Sequence, residues 1–239
     1  MGAFVLTDCT VFVGGYDLSS DSNKLTVALT ADELDATPFK AGGYHKRLAG
    51  LKSGQIDHEG FVSYPDEDGT LWSDISAERL VTVCPTGVEG DVAYFMNARR
   101  LAYTPVDATV GEIANFQGSA SSSDGVGVAR GRLILPPTRV TGIASAISPI
   151  MQLGAIETGQ KLYVAVHCFS AAGSSAAVTV KSAATIGFTG ATVRWTSDAI
   201  TAPGGVFAAV DLGAITDTYW EARVDAGADF EVAVALAIQ

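Results

Sequence analysis

Cysteine is scarce in this chain of 239 residues: Cys9, Cys84 and Cys168 stand far apart. Zinc sites built on cysteine use close pairs such as C-x2-C, so no structural zinc is expected. The three read as buried free thiols of a protein made in a reducing compartment. Histidine is equally rare, at His45, His58 and His167, with no H-x-x-x-H pair for a metal. No G-x-S-x-G elbow is present. Gly154 to Lys161 has the glycine spacing of a phosphate loop but lacks its Gly-Lys-Ser/Thr end, and it leads into a strand. Gly125 to Gly131 misses the dinucleotide fingerprint by one residue. The acidic turn Asp66-Glu67-Asp68-Gly69 would need acids where Tyr64 and Ile75 stand to be a calcium loop. No catalytic, metal or cofactor site is expected, and no enzyme.

Positive charge is also in short supply. Fifteen Lys and Arg face 26 Asp and Glu, a net charge of −11. Such a chain repels nucleic acid rather than holding it. No apolar run approaches the length of a membrane span. The first residues, Met1 to Asp8, lack the basic region of a signal peptide. A membrane partner is not expected.

What the chain does have is core material, with 48% hydrophobic and 17% charged residues. Helical periodicity is confined to Gly69 to Leu80, where Leu71, Trp72, Ile75 and Leu80 are suitably spaced. Elsewhere short alternating runs of Val, Ile, Thr, Tyr and Phe are broken by Gly, Ser and Asp, which predicts a mainly β protein. Pro136-Pro137 cannot continue a central strand, and charge thins out after them. Two domains are therefore expected, 1–137 and 138–239.

The first domain offers four long strands. Leu25, Val27 and Leu29 alternate with Lys24, Thr26, Ala28 and Thr30. Ile56, His58, Val62 and Tyr64 alternate with Gln55, Asp57, Glu59 and Phe61. Val92, Tyr94, Met96 and Ala98 share a face opposite Phe95, Asn97 and Arg99. The fourth strand is Val110 to Ser119, and Ser119 to Gly125 reads as a hairpin tip. Alternation places one face of each strand on a core and the other on solvent. It fits either a self-contained sandwich or part of a barrel shared between subunits.

The second domain reads as a β-sandwich, jelly-roll-like, with strands at Lys161–Phe169, Ala177–Ser182, Thr192–Thr196, Gly205–Val210, Tyr219–Asp225 and Phe230–Ile238. In the last, Val232, Val234, Leu236 and Ile238 alternate with alanines, so both faces are expected to be buried. Trp195 and Trp220 read as core residues, with a sugar-stacking platform as the other reading.

The order of motifs carries a resemblance. Val11-Phe12-Val13-Gly14-Gly15-Tyr16-Asp17-Leu18 is followed by a long strand, then Asp35-Ala36-Thr37. A Gly-rich loop, Ala41 to Gly50, follows and ends in Ala49-Gly50-Leu51-Lys52-Ser53-Gly54. Over about the first 135 residues this resembles the tail tube (major tail) proteins of long-tailed bacteriophages. The resemblance implies a sandwich or barrel-forming domain with one short helix, here followed by an extra β-sandwich.

It further implies a homo-oligomer of hexameric rings stacked into a tube in the virion tail, made in the host cytoplasm. Tape measure, terminator and distal tail proteins would be its partners, and DNA only a passing cargo. Two hairpins, Ser22 to Tyr64 and Asp91 to Ser121, would line the lumen. Thr26, Thr30, Asp32, Gln55, Asp57 and Glu59 are then the lumen-facing candidates, forming an acidic wall that DNA slides past. The loop of Gly42, Gly43, Tyr44, His45, Lys46, Arg47 and Leu48 would touch a neighbouring subunit. His45-Lys46-Arg47 is a basic island that reads either as plain surface or as a match for an acidic patch on that neighbour. Two other readings stay open: a carbohydrate-binding sandwich or receptor-binding tail component, and a capsid decoration protein.

Overall fold

Alternating β-branched and aromatic residues give the chain sixteen strands and one short helix among the described residues. The structure is a computed structural model that describes residues 6–239 apart from 38, 40, 41, 43, 63–65 and 174. In chain order the elements are β1 (Thr10–Val13), β2 (Tyr16–Asp17), β3 (Ser22–Asp35), β4 (Arg47–Phe61), α1 (Asp66–Ser73), β5 (Glu78–Cys84), β6 (Val92–Asp107) and β7 (Asn115–Ser122). They continue with β8 (Ala129–Val140), β9 (Ala144–Ile147), β10 (Met151–Gln152), β11 (Leu162–Ala171), β12 (Ala176–Ala183), β13 (Thr192–Thr196), β14 (Gly204–Val210), β15 (Tyr219–Ala226) and β16 (Phe230–Ile238). The protein is mainly β, as its alternation demands.

Residue contacts divide the chain into two units. The first comprises residues 1–22, 79–97 and 129–239; the second comprises 23–78 and 98–128. The expected boundary at residue 137 is not where the contacts divide. Pro136 and Pro137 lie inside β8. The register of β8 on β16 jumps there: Leu135 faces Val234 and Thr138 faces Val232, so both prolines oppose the single Ala233. A bulge is where a sheet tolerates residues without an N–H.

The first unit holds two sheets. One runs β14-β11-β16-β8-β6-β5-β1-β2. In the other, β15 pairs with β9 and β10 on one side and β12 on the other, and β13 ends the row. Between them lies a core of Val164, Val166, Val178, Val180, Trp220, Val224, Val232, Val234 and Leu236. Each such side chain contributes about 1.5–3 kcal/mol of burial energy. Trp220 is a core residue whose indole N–H donates to the Gly154 carbonyl at 2.9 Å. Strand β16 is buried on both faces, as its sequence requires. Its valines enter that core, and Ala233, Ala235 and Ala237 pack with Phe12, Phe95 and Leu133.

The helix differs from its expected span. It begins earlier, at Asp66. It stops at Ser73, and Leu80 lies in β5 instead. Ser76, at φ 65°, turns the chain. Leu71 is buried, whereas Trp72 and Ile75 are exposed. The fourth strand also starts later than expected, at Asn115, and Ser119 to Ser122 belong to it rather than to a tip.

Candidate assembly surface

The second unit is a four-stranded antiparallel ribbon in the order β3-β4-β7-β6, using the Ala98–Asp107 part of β6. Register aligns its side chains in rows. Gln55 faces Ser121, which faces Arg99; Glu59 faces Gln117, which faces Thr104. On the outer strand, Lys24 donates to Glu59 at 2.6 Å and Thr30 hydrogen-bonds Ser53 at 2.7 Å. Lys24, Thr26 and Thr30 therefore share the face of Gln55, Asp57 and Glu59, because strand side chains alternate. Gln55 also donates to Asp57 and to Ser119. Asp32 is exposed farther along β3.

The result is a polar face continued over four strands. The lumen-facing candidates omitted two of its members, Arg99 and Lys24, although Lys24 shares the alternation of Thr26 and Thr30. Cross-strand register brings Lys24 beside Glu59 and puts Arg99 next to Ser121 in the row of Gln55, so the face is mixed in charge rather than uniformly acidic. Its ion pair is solvated, with side chains 63% and 34% exposed, which limits it to about 0–1 kcal/mol.

The opposite face is buried. Ile56 faces Ala120, which faces Arg100, while His58 faces Gly118, which faces Tyr103. The His58 ring packs edge-on to Phe116, with centroids 5.5 Å apart. Burial and the nearby Arg100 charge push its pKa down to about 3, against a small opposing pull from Asp57. The Tyr103 hydroxyl on this face donates to Asp68 of α1 at 2.9 Å, tying the helix to the ribbon. His167, in the first unit, is likewise structural. Its Nδ1–H donates to the Gly14 carbonyl and its Nε2 accepts from Thr82, both at 2.7 Å.

The outer part of the β3–β4 hairpin is different again: its described residues bury almost nothing. Phe39, Tyr44 and Leu51 are each more than 80% exposed, with Leu29, Leu34 and Leu48 exposed beside them. Exposed apolar side chains on this scale mark interaction surfaces. Of the expected loop contacts, Gly43 lies outside the described residues. Gly42 takes a left-handed φ of 63°. The basic island is partly used within its own hairpin: Arg47 pairs with Glu33 at 2.8 Å, and His45 lies 3.3 Å from Asp35. A hydrogen bond from the Thr37 hydroxyl leads the causes that hold the Asp35 carboxyl below its usual range. The β6–β7 end carries a similar exposed set, Val106, Val110 and Ile113. Among the described residues no cluster of His, Cys, Asp or Glu could hold a metal, and no helix is long and apolar enough to cross a membrane.

No family model and no curated protein matches the sequence. Several solved structures resemble it. One is from the virion of a native gene transfer agent particle, at 14% identity and a TM-score of 0.40, covering 53% of this chain and 98% of that one. Another is from the tail of an empty particle of the same kind, refined with C6 symmetry, at 14% identity and 0.39, covering 51% and 94%. A third is the SPP1 Dit protein, described as a paradigm of the hub adsorption apparatus in phages infecting Gram-positive hosts. It has 10% identity and a TM-score of 0.35, covering 97% of this chain and 99% of that protein.

Proposed function

We propose that this chain is a structural subunit of a phage-type virion tail, and specifically a tail tube subunit that closes into hexameric rings. The observation that carries the reading is the four-stranded ribbon of the second unit, polar on one face and buried on the other, with β3 at one end and, at the other, the Ala98–Asp107 part of β6, which is bridged by Ile75 at Arg100. A sheet with two ends is completed by joining the last strand of one copy to the first of the next. Such a heterologous contact closes into a ring. The polar faces then form a continuous inner wall on which the carboxylates of Asp57 and Glu59 offset Lys24 and Arg99, so that a passing polyanion meets no purely cationic surface. The apolar ends of the two hairpins are the surfaces that neighbouring copies would cover.

Negative-stain imaging and light scattering of the purified chain test this. Rings of uniform diameter, or tubes of stacked rings, are the expected outcome. A monomer at high concentration under all salt conditions would overturn it. Replacing Phe39 and Tyr44 with serine should leave the monomer folded and block stacking.

A further inference from the structure

Strand β14 ends the larger sheet of the first unit, and its seven residues are Gly-Gly-Val-Phe-Ala-Ala-Val. Among the described residues, β11 is the strand it pairs with. An edge strand of this kind is usually guarded by charges, proline, a bulge or shortness, because its open backbone invites another strand. Three other edges follow that rule. β2 has two residues, β13 carries Arg194 and a register shift opposite it, and β3 carries Lys24, Asp32, Glu33 and Asp35. β14 has none of these guards. Beside it opens a cleft of ≈ 610 Å³ lined by Trp195, Ile200, Val206 and Ala208, with Asp198 as its charged group.

A second strand has the complementary character. β4 pairs with β7 from Gln55 onward. Its first seven residues, Arg-Leu-Ala-Gly-Leu-Lys-Ser from Arg47 to Ser53, precede the β4–β7 register, and among the described residues β3 is the strand beside them. Leu51 is 82% exposed, Leu48 is exposed, and Lys52 adds an exposed positive charge.

We propose that Arg47–Ser53 of one copy adds as a strand to the outer edge of β14 in a second copy. Main-chain hydrogen bonds join the two open edges, as in peptide recognition by strand addition. Alternate side chains of the incoming strand face the cleft, so Leu48 covers the Trp195 ring and Lys52 meets Asp198, while Leu51 points to the opposite face, on the side of Ala209. Opposite charge at the rim selects this occupant over another β14, which brings no cation. The inference rests on the assembly reading and adds the contact by which one copy holds the next.

The test is a cross-link between separately purified full-length variants, in a Cys9→Ser background that removes the half-exposed native thiol. Leu51→Cys and Ala209→Cys proteins are mixed under assembly conditions and treated with a short bis-maleimide. Residue 209 is an exposed position of β14. The expected result is a covalent dimer in the mixture that neither variant gives alone, and its loss when Ala209→Cys also carries Asp198→Lys. Dimer from Ala209→Cys alone would mean that β14 pairs with itself and would overturn the proposal. Normal rings without a mixed dimer would overturn this contact and leave the assembly reading standing. No assembly by light scattering, in variants and parent alike, would overturn both.

Discussion

His58 stands directly across the β4–β7 pair from Gly118, and its imidazole fills the space that a side chain at 118 would need. A Cβ built there would lie 2.9 Å from His58 Cε1 and would also meet the Arg100 guanidinium. Gly118→Ala should therefore destabilise the protein by about 1–3 kcal/mol, the usual cost of overpacking a filled core. Urea unfolding measures it as a lower midpoint at unchanged slope. A midpoint equal to the parent's would mean that the ring and guanidinium have room to move.

Two buried histidines make stability depend on pH. Burial pushes His167 down to about 4 and, with Arg100 adding to it, His58 down to about 3. Both lie below the unfolded value of about 6.5, so in that interval the unfolded chain binds more protons and stability rises with pH. The contribution is complete above about pH 6.5. It is lost as pH falls towards about 4 for His167 and about 3 for His58. Denaturation midpoints at pH 7 and pH 4.5 should differ, the acidic one lower. His167→Gln should flatten that slope, since an amide can donate to Gly14 and accept from Thr82 without titrating. An unchanged slope in this variant would assign the dependence elsewhere.

The polar strip admits a charge test. Asp57→Lys with Glu59→Lys removes one solvated ion pair and should cost no more than about 1 kcal/mol. Thermal melts and ring formation should stay near those of the parent. On the tail-tube reading, phosphates would then be held along the wall, and DNA release from particles carrying the variant should slow. Release at the parental rate would place the strip away from the DNA path.

Cutting the chain at residue 137 tests how the first unit is built. β8 begins before the cut and pairs with β16 after it, while its first part, Ala129 to Arg132, pairs with β6. Fragments 1–137 and 138–239 should each expose an open, apolar strand edge and aggregate when expressed alone. Co-expression should recover soluble, protease-resistant material. A soluble, cooperatively melting 138–239 fragment would restore the boundary expected from composition.

The strands after residue 160 were legible almost residue by residue, Thr192–Thr196 and Phe230–Ile238 with their full bounds. Period-2 alternation between turn residues is a local signal, and here nothing overrides it. The same signal assigned Gln55, Asp57 and Glu59 to a solvent face and His58 to a core. Three things depended on pairing between distant segments instead. Lys24 met Glu59 and Arg99 joined the polar strip because register aligned them, and register is set by neighbours that the local sequence does not name. Gly118 is required because His58 and Arg100 crowd over it. Pro136-Pro137, a strand breaker in isolation, sits inside β8 because a bulge against β16 gives two residues without N–H groups a place. Local chemistry determined which residues form strands and which faces meet water; the ladders between strands, formed only on folding, decided which charges, glycines and prolines stand together.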